Sequence, residues 1–194
     1  LAGFAGALCL ALCACSEDRS IPGENAEPIN LFEALLEFCG AAFAGRITSN
    51  GPPAGDWAGQ SLIMHVRDCS ADEIGIAIHA GNDRSRIWVL SRTELGFHLR
   101  HDQHHQDGSS LALSGYGGDA WISDRLRIEF AADAHSLDLF EQQSLNSSTE
   151  NIWGLEFDGQ WFVYEWYNPD QYLRMEFDLS NPVEAPPAPW GFED

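Results

Sequence analysis

Apolar and polar positions alternate with a period of two over much of this chain, the signature of half-buried strands. From Ser61 to Cys69, Leu62, Met64 and Val66 alternate with Ile63, His65 and Arg67. From Glu73 to His79, Ile74, Ile76 and Ile78 alternate with smaller residues. Further strand runs are expected over 86–93, 96–105, 110–114, 125–130, 151–157, 161–167 and 172–179. Glu94-Leu95-Gly96, Asp158-Gly159 and Asn168-Pro169-Asp170 supply turn residues between them. Two stretches have the helical period instead. Asn30-Leu31-Phe32-Glu33 reads as a capping box, with Phe32, Leu35, Leu36 and Cys39 on one face and Gly40 as the stop. A second short helix is expected from Asp133 to about Gln143, with Leu137 and Phe140 facing inward. The pattern is mainly β: an antiparallel, lipocalin-like up-and-down barrel with one or two short helices, or alternatively a β-sandwich. Closure would remove the exposed edges that so many strands otherwise present.

The first 29 residues and the last 14 lack this alternation. Leu1 to Ala14 is small, apolar and uncharged, too short to span a bilayer but suited to the apolar region of a secretory signal. Residues 15–29 are polar with Pro and Gly and read as a tether. Residues 30–180 form the single β-rich domain, and 181–194 a Pro-rich extended tail carrying Trp190, docked or free. Leu12-Cys13-Ala14-Cys15-Ser16 looks like the lipobox of bacterial lipoproteins, a likeness that makes Cys15 the acylated residue. Acyl chains add roughly 0.8 kcal/mol per buried methylene, so more than one on Cys15 would hold the chain stably to a membrane. Ser16 after the cysteine resembles the sorting pattern of outer-membrane lipoproteins. The expected location is therefore the bacterial envelope, on the outer membrane facing the periplasm. That compartment is oxidising, so Cys39 and Cys69 are expected to form a disulfide.

Composition narrows the partners. Asp and Glu number 30 against 10 basic residues, a net charge of −20, and every basic residue is Arg. Such a chain is repelled by nucleic acid, so phosphate-backbone binding is set aside. In so acidic a protein, Arg84, Arg86 and Arg92 are expected to pair with carboxylates.

The chemistry-bearing residues concentrate between His79 and Gly108, which hold five of the seven histidines. If the strand runs through His105, His101 and His105 share one face. His79, Arg86, His101 and His105 are the candidate lining of a small-ligand site in the barrel mouth. Imidazole and carboxylate are ligands for zinc, copper or nickel, so His101, His105 and Asp107 form an alternative metal site. A third reading is a structural envelope protein whose polar cluster is only surface. No zinc-protease, zinc-finger or calcium-loop spacing is present, and no G-x-S-x-G elbow, so no catalytic residue is assigned and binding is expected rather than turnover. Ser114-Gly115-Tyr116-Gly117-Gly118 reads as a Gly-rich turn and lacks the ending of a phosphate loop.

The run D-R-S-R-x-W-V-L-x-R-T (83–93), then L-x-H-D, D-G and Y-G-G-D, resembles a family of uncharacterised exported proteins and lipoproteins of Gram-negative bacteria. The likeness extends to N-I-W (151–153) and to F-D-L-S-N-P-V-x-x-P-P-x-P-W (177–190). It implies export and a single domain, and no mechanism. Relatives often read H-D-H-R-H-E-D-G where this chain has residues 101–108. His101, Asp102, His105, Asp107 and Gly108 match, whereas Gln103 and His104 depart, which favours His101 and His105 over a three-histidine site.

Overall fold

The computed structural model describes residues 30–49, 57, 59–124 and 126–193. Cys15, the signal segment and the tether lie outside the described residues. Ten strands alternate inward and outward side chains: β1 (Ala42–Ile47), β2 (Leu62–Arg67), β3 (Glu73–Ala80), β4 (Asp83–Thr93), β5 (Gly96–Gln103), β6 (Tyr116–Ser123), β7 (Arg127–Ala131), β8 (Ile152–Phe157), β9 (Trp161–Tyr167) and β10 (Tyr172–Val183). Each pairs antiparallel with its chain neighbours, and β1 pairs with both β2 and β10. The result is a closed, lipocalin-like up-and-down barrel, and the sandwich alternative falls. Inward positions follow the expected parity: Leu62, Met64 and Val66 of β2 and Ile74, Ile76 and Ile78 of β3 are all buried in the core.

Three elements differ from the sequence expectation. β1 (A-F-A-G-R-I) carries too few large apolar residues to announce itself, yet it closes the barrel. Its register against β10 shifts between Phe43 and Gly45, where the Phe177 ring lies 2.3 Å from the position a Cβ on Gly45 would take. Residues 110–114 are not a strand: Ser110 keeps one bridge to His104 and the chain then turns. The strand begins at Tyr116 instead. Gly117 and Gly118 let it pass within contact of its neighbours, since a Cβ would fall 1.8 Å from the Leu99 carbonyl oxygen and 1.7 Å from that of Ala131. β10 also continues to Val183, so Pro182 pairs with Phe43 and the tail starts later than residue 181.

Helix α1 (Leu31–Leu36) closes one end. The Asn30 side chain accepts from the Glu33 backbone N–H at 3.0 Å, as a capping residue should. The Glu33 carboxylate pairs with Arg92 at 2.6 Å. Leu31, Phe32 and Leu35 are buried, and Phe32 stacks on Phe97 at 5.7 Å between ring centroids. The Cys39–Cys69 disulfide then ties the residues after α1 to the end of β2. Helix α2 (Ala134–Gln142) and a 3-10 turn (Asn146–Glu150) interrupt the β7–β8 connection at the opposite end. Phe140 of α2 faces inward, but Leu137 is turned to solvent. The tail beyond Val183 docks on the outer surface: Arg84 donates to the Ala188 carbonyl at 3.1 Å, and the Trp190 N–H to the Arg84 carbonyl at 2.9 Å.

Candidate functional site

The barrel interior is layered, and the layers decide where a molecule fits. Next to α1, Leu90, Leu99, Leu155, Phe162 and Phe177 fill the space with hydrocarbon. One layer further along the strands the inward positions are aromatic: Trp88, His101, Tyr116, Trp153 and Tyr164, with Met175. The next layer holds Arg86, Gln103, Asn151, Trp166 and Leu173. Strand register stacks these layers, because Trp88 pairs with His101 and Tyr164 with Met175 in one, and Arg86 with Gln103 and Trp166 with Leu173 in the next. Between the upper two layers lies a cavity of about 310 Å³. Phe140 of α2, Leu145 and Ser148 beside it, and Trp57 and Leu113 from loops complete its wall.

Two stacked pairs stiffen the wall. Trp88 lies on Tyr164 with centroids 3.9 Å apart and planes 9° from parallel. His101 lies on Tyr116 at 4.6 Å and 10°. The His101 ring is fixed at both nitrogens. Nδ1–H donates to the Tyr116 carbonyl at 3.3 Å, which leaves Nε2 to accept from the Tyr164 hydroxyl at 2.9 Å. Burial pushes the His101 pKa down to about 3, against the pull of the Tyr116 carbonyl and with help from the Arg86 charge. The imidazole is therefore neutral, as this tautomer requires. Burial likewise raises Tyr116 and Tyr164, so both hydroxyls keep their protons.

Arg86 is the charged residue in the lining. Its Nη1 donates to the Asp83 carboxylate at 2.5 Å and to Ser85 Oγ at 3.2 Å, and its guanidinium lies 4.4 Å from the Trp57 ring centroid. Against the upward push of burial, hydrogen bonds from Ser85 and the charge of Arg86 hold the Asp83 pKa low. Gln103 Nε2 donates to the Tyr116 hydroxyl at 3.2 Å.

Of the residues singled out in the sequence, the barrel brings Arg86 and His101 together and separates the rest. His79 is an outward position of β3, opposite Ile63, and is not part of the cavity. It is buried on the outward face of the sheet near His65 and Arg84, with both ring nitrogens unpartnered, and burial, then His65, Arg84 and Arg67, lower its pKa to about 4. His105 and Asp107 belong to an exposed turn, because β5 ends at Gln103. There Asp107 accepts from Ser109 at 2.6 Å. The set His101, His105 and Asp107 thus does not gather: His101 is inside the barrel and the other two outside. Among the described residues no three His, Cys, Asp or Glu side chains are placed to hold a metal ion. Arg92 pairs with Glu33 and Arg86 with Asp83 as expected, whereas Arg84 bonds a tail carbonyl.

No protein-family model, curated protein or solved structure matches this chain. The cavity must therefore be interpreted from its own residues. Tyr116, Trp153, Tyr164 and Trp166 escaped the sequence reading, although each is an inward residue of a strand that alternates. The signal for Tyr164 and Trp166 is the aromatic run at every second position in F-x-Y-x-W (162–166), and for Trp153 the large apolar pair W-x-L (153–155), far along the chain from the histidine cluster.

Proposed function

We propose that this chain is a lipid-anchored envelope protein whose barrel binds a small, partly apolar organic molecule. The observation that carries the binding reading is the cavity of about 310 Å³, which four tryptophans line without filling. Its size and its mixture of aromatic walls with a few polar tips are those of small-molecule sites. The Cys39–Cys69 disulfide supports an oxidising compartment, and the L-C-A-C-S segment supports anchoring through Cys15.

The test is intrinsic tryptophan fluorescence and thermal melting of the purified full chain against a panel of aromatic and aliphatic amphiphiles. A ligand at a hundred times its dissociation constant adds roughly 2.7 kcal/mol to the native state. Trp153→Ala should abolish the shift, and Trp121→Ala, at an exposed position, should leave it intact. A panel without one saturable response, or equal loss in both variants, would overturn the binding reading. Labelled palmitate that still enters a Cys15→Ser chain would overturn the anchor assignment.

A further inference from the structure

Resting on the ligand-binding reading above, we propose that the cavity takes an aromatic carboxylate, with its ring among the tryptophans and its carboxylate on Arg86. Among the described residues no carboxylate lines the cavity, and Asp83 is the one acidic partner of Arg86. Among the described residues its hydrogen bonds run from Nη1 alone, which leaves Nε and Nη2 as adjacent donors. Two parallel N–H groups on one planar edge match the two oxygens of a carboxylate. The Trp57 ring packed against the guanidinium holds that plane in place. Across the strand pair, the Tyr116 hydroxyl accepts from Gln103 and retains its own proton to donate.

The body of the ligand follows from the walls. Trp88 on Tyr164 and His101 on Tyr116 present flat, rigid surfaces, against which an aromatic ring gains stacking in addition to area burial. The net charge of −20 does not preclude an anion, because salt screens surface charges beyond about 8 Å while the contact pair inside the barrel is screened far less.

The experiment compares 2-naphthoate with 2-naphthamide, and with octanoate, by calorimetry on the full chain. Naphthoate is expected to bind at least about tenfold tighter than the amide of the same shape. Arg86→Gln should erase that preference, so that naphthoate and naphthamide bind this variant with equal affinity. Asp83→Asn, which frees Arg86 from its internal partner, should tighten naphthoate and not naphthamide, a gain that a folding defect cannot imitate. Equal affinity for acid and amide, with both lost in Trp153→Ala, would overturn the carboxylate assignment and leave the cavity as a binding site. Octanoate binding as tightly as naphthoate would overturn the aromatic assignment. Binding by none of the three would overturn this proposal and weigh against the binding reading itself.

Discussion

Protonating His101 must break the hydrogen bond it accepts from Tyr164 and place a charge inside an aromatic layer, so acid should unfold this barrel through that residue. The unfolded chain titrates this imidazole near 6.5 and the native state near 3. A depressed native pKa means the unfolded state takes the proton first. The contribution is therefore complete above pH 6.5, shrinks as pH falls below it, and is exhausted near pH 3. At about 1.36 kcal/mol per pH unit, the span sets a ceiling of roughly 5 kcal/mol, of which roughly 2.5 kcal/mol falls between about pH 7 and pH 4.5. The assay is urea denaturation followed by tryptophan fluorescence at several pH values across that range, for the native chain and for His101→Gln. Glutamine still offers an oxygen to the Tyr164 hydroxyl but does not titrate. The variant should be less stable near neutrality, and its stability should fall less steeply with acid. Carboxylates titrate in both chains, so only the difference in slope is diagnostic. Parallel pH profiles would refute the argument.

His79 should respond to the tail, because its neighbour His65 shares a pocket with Ala185, Pro186 and Ala188. Removing the tail from residue 184 onward should raise the His79 pKa, lowered to about 4 in the intact chain, toward 6.5 in an NMR titration; no rise would show that the tail does not desolvate it. Replacing Cys39 and Cys69 by Ala opens a loop whose ends are 30 residues apart, and the chain-entropy relation gives a loss of roughly 3.5 kcal/mol by urea melts. A loss under about 1 kcal/mol would mean the unfolded chain is already constrained there. Gly118→Ala places a methyl group 1.7 Å from a backbone carbonyl and should lower stability by roughly 3 kcal/mol or more. Gly159→Ala, at φ +95° with open space around it, should lower it by only about 1–2 kcal/mol, and comparable losses would refute the close-approach argument.

The barrel was legible because burial on one face writes itself as alternation, and β2 to β5 and β7 to β10 carry that pattern plainly. β1 and β6 were hidden for a shared reason. Gly45, Gly117 and Gly118 stand where ring or backbone occupies the side-chain position, and in sequence such glycines read as punctuation. The site was half legible. Arg86 and His101 lie at inward positions of paired strands, and their polar neighbourhood drew attention. His79 was misplaced although the parity that turns Ile74, Ile76 and Ile78 inward turns residue 79 outward. His105 was misplaced because β5 stops two residues short, at Gln103, whose N–H the Ser114 hydroxyl takes at 2.8 Å and whose carbonyl accepts from Leu111. Trp153, Tyr164 and Trp166 lie more than fifty residues beyond His101 in the chain. Only closure of the sheet brings them to it, and no local pattern encodes that.

The contrast between the two ends of the barrel bears on whether the cavity is a site or merely an imperfection of packing. At the α1 end the interior is hydrocarbon and an aromatic plug, the arrangement that stability alone favours. At the other end the same ten strands place a guanidinium, an imidazole, two phenols and a carboxamide at inward positions. The imidazole, the phenols and the carboxamide must be desolvated and satisfied, and the Arg86 side chain, 31% exposed, partly so, which apolar side chains of similar volume would avoid. The structure satisfies some of them internally: His101 with Tyr164 and Tyr116, and Gln103 with Tyr116. Arg86 is satisfied only in part. A barrel serving as scaffold alone gains nothing from a half-answered cation beside empty space, and a hydrophobic residue at position 86 would pack there at less expense. A barrel that receives a ligand gains a point of orientation. The incompletely paired guanidinium, more than the volume beside it, is what separates the binding reading from the purely structural one.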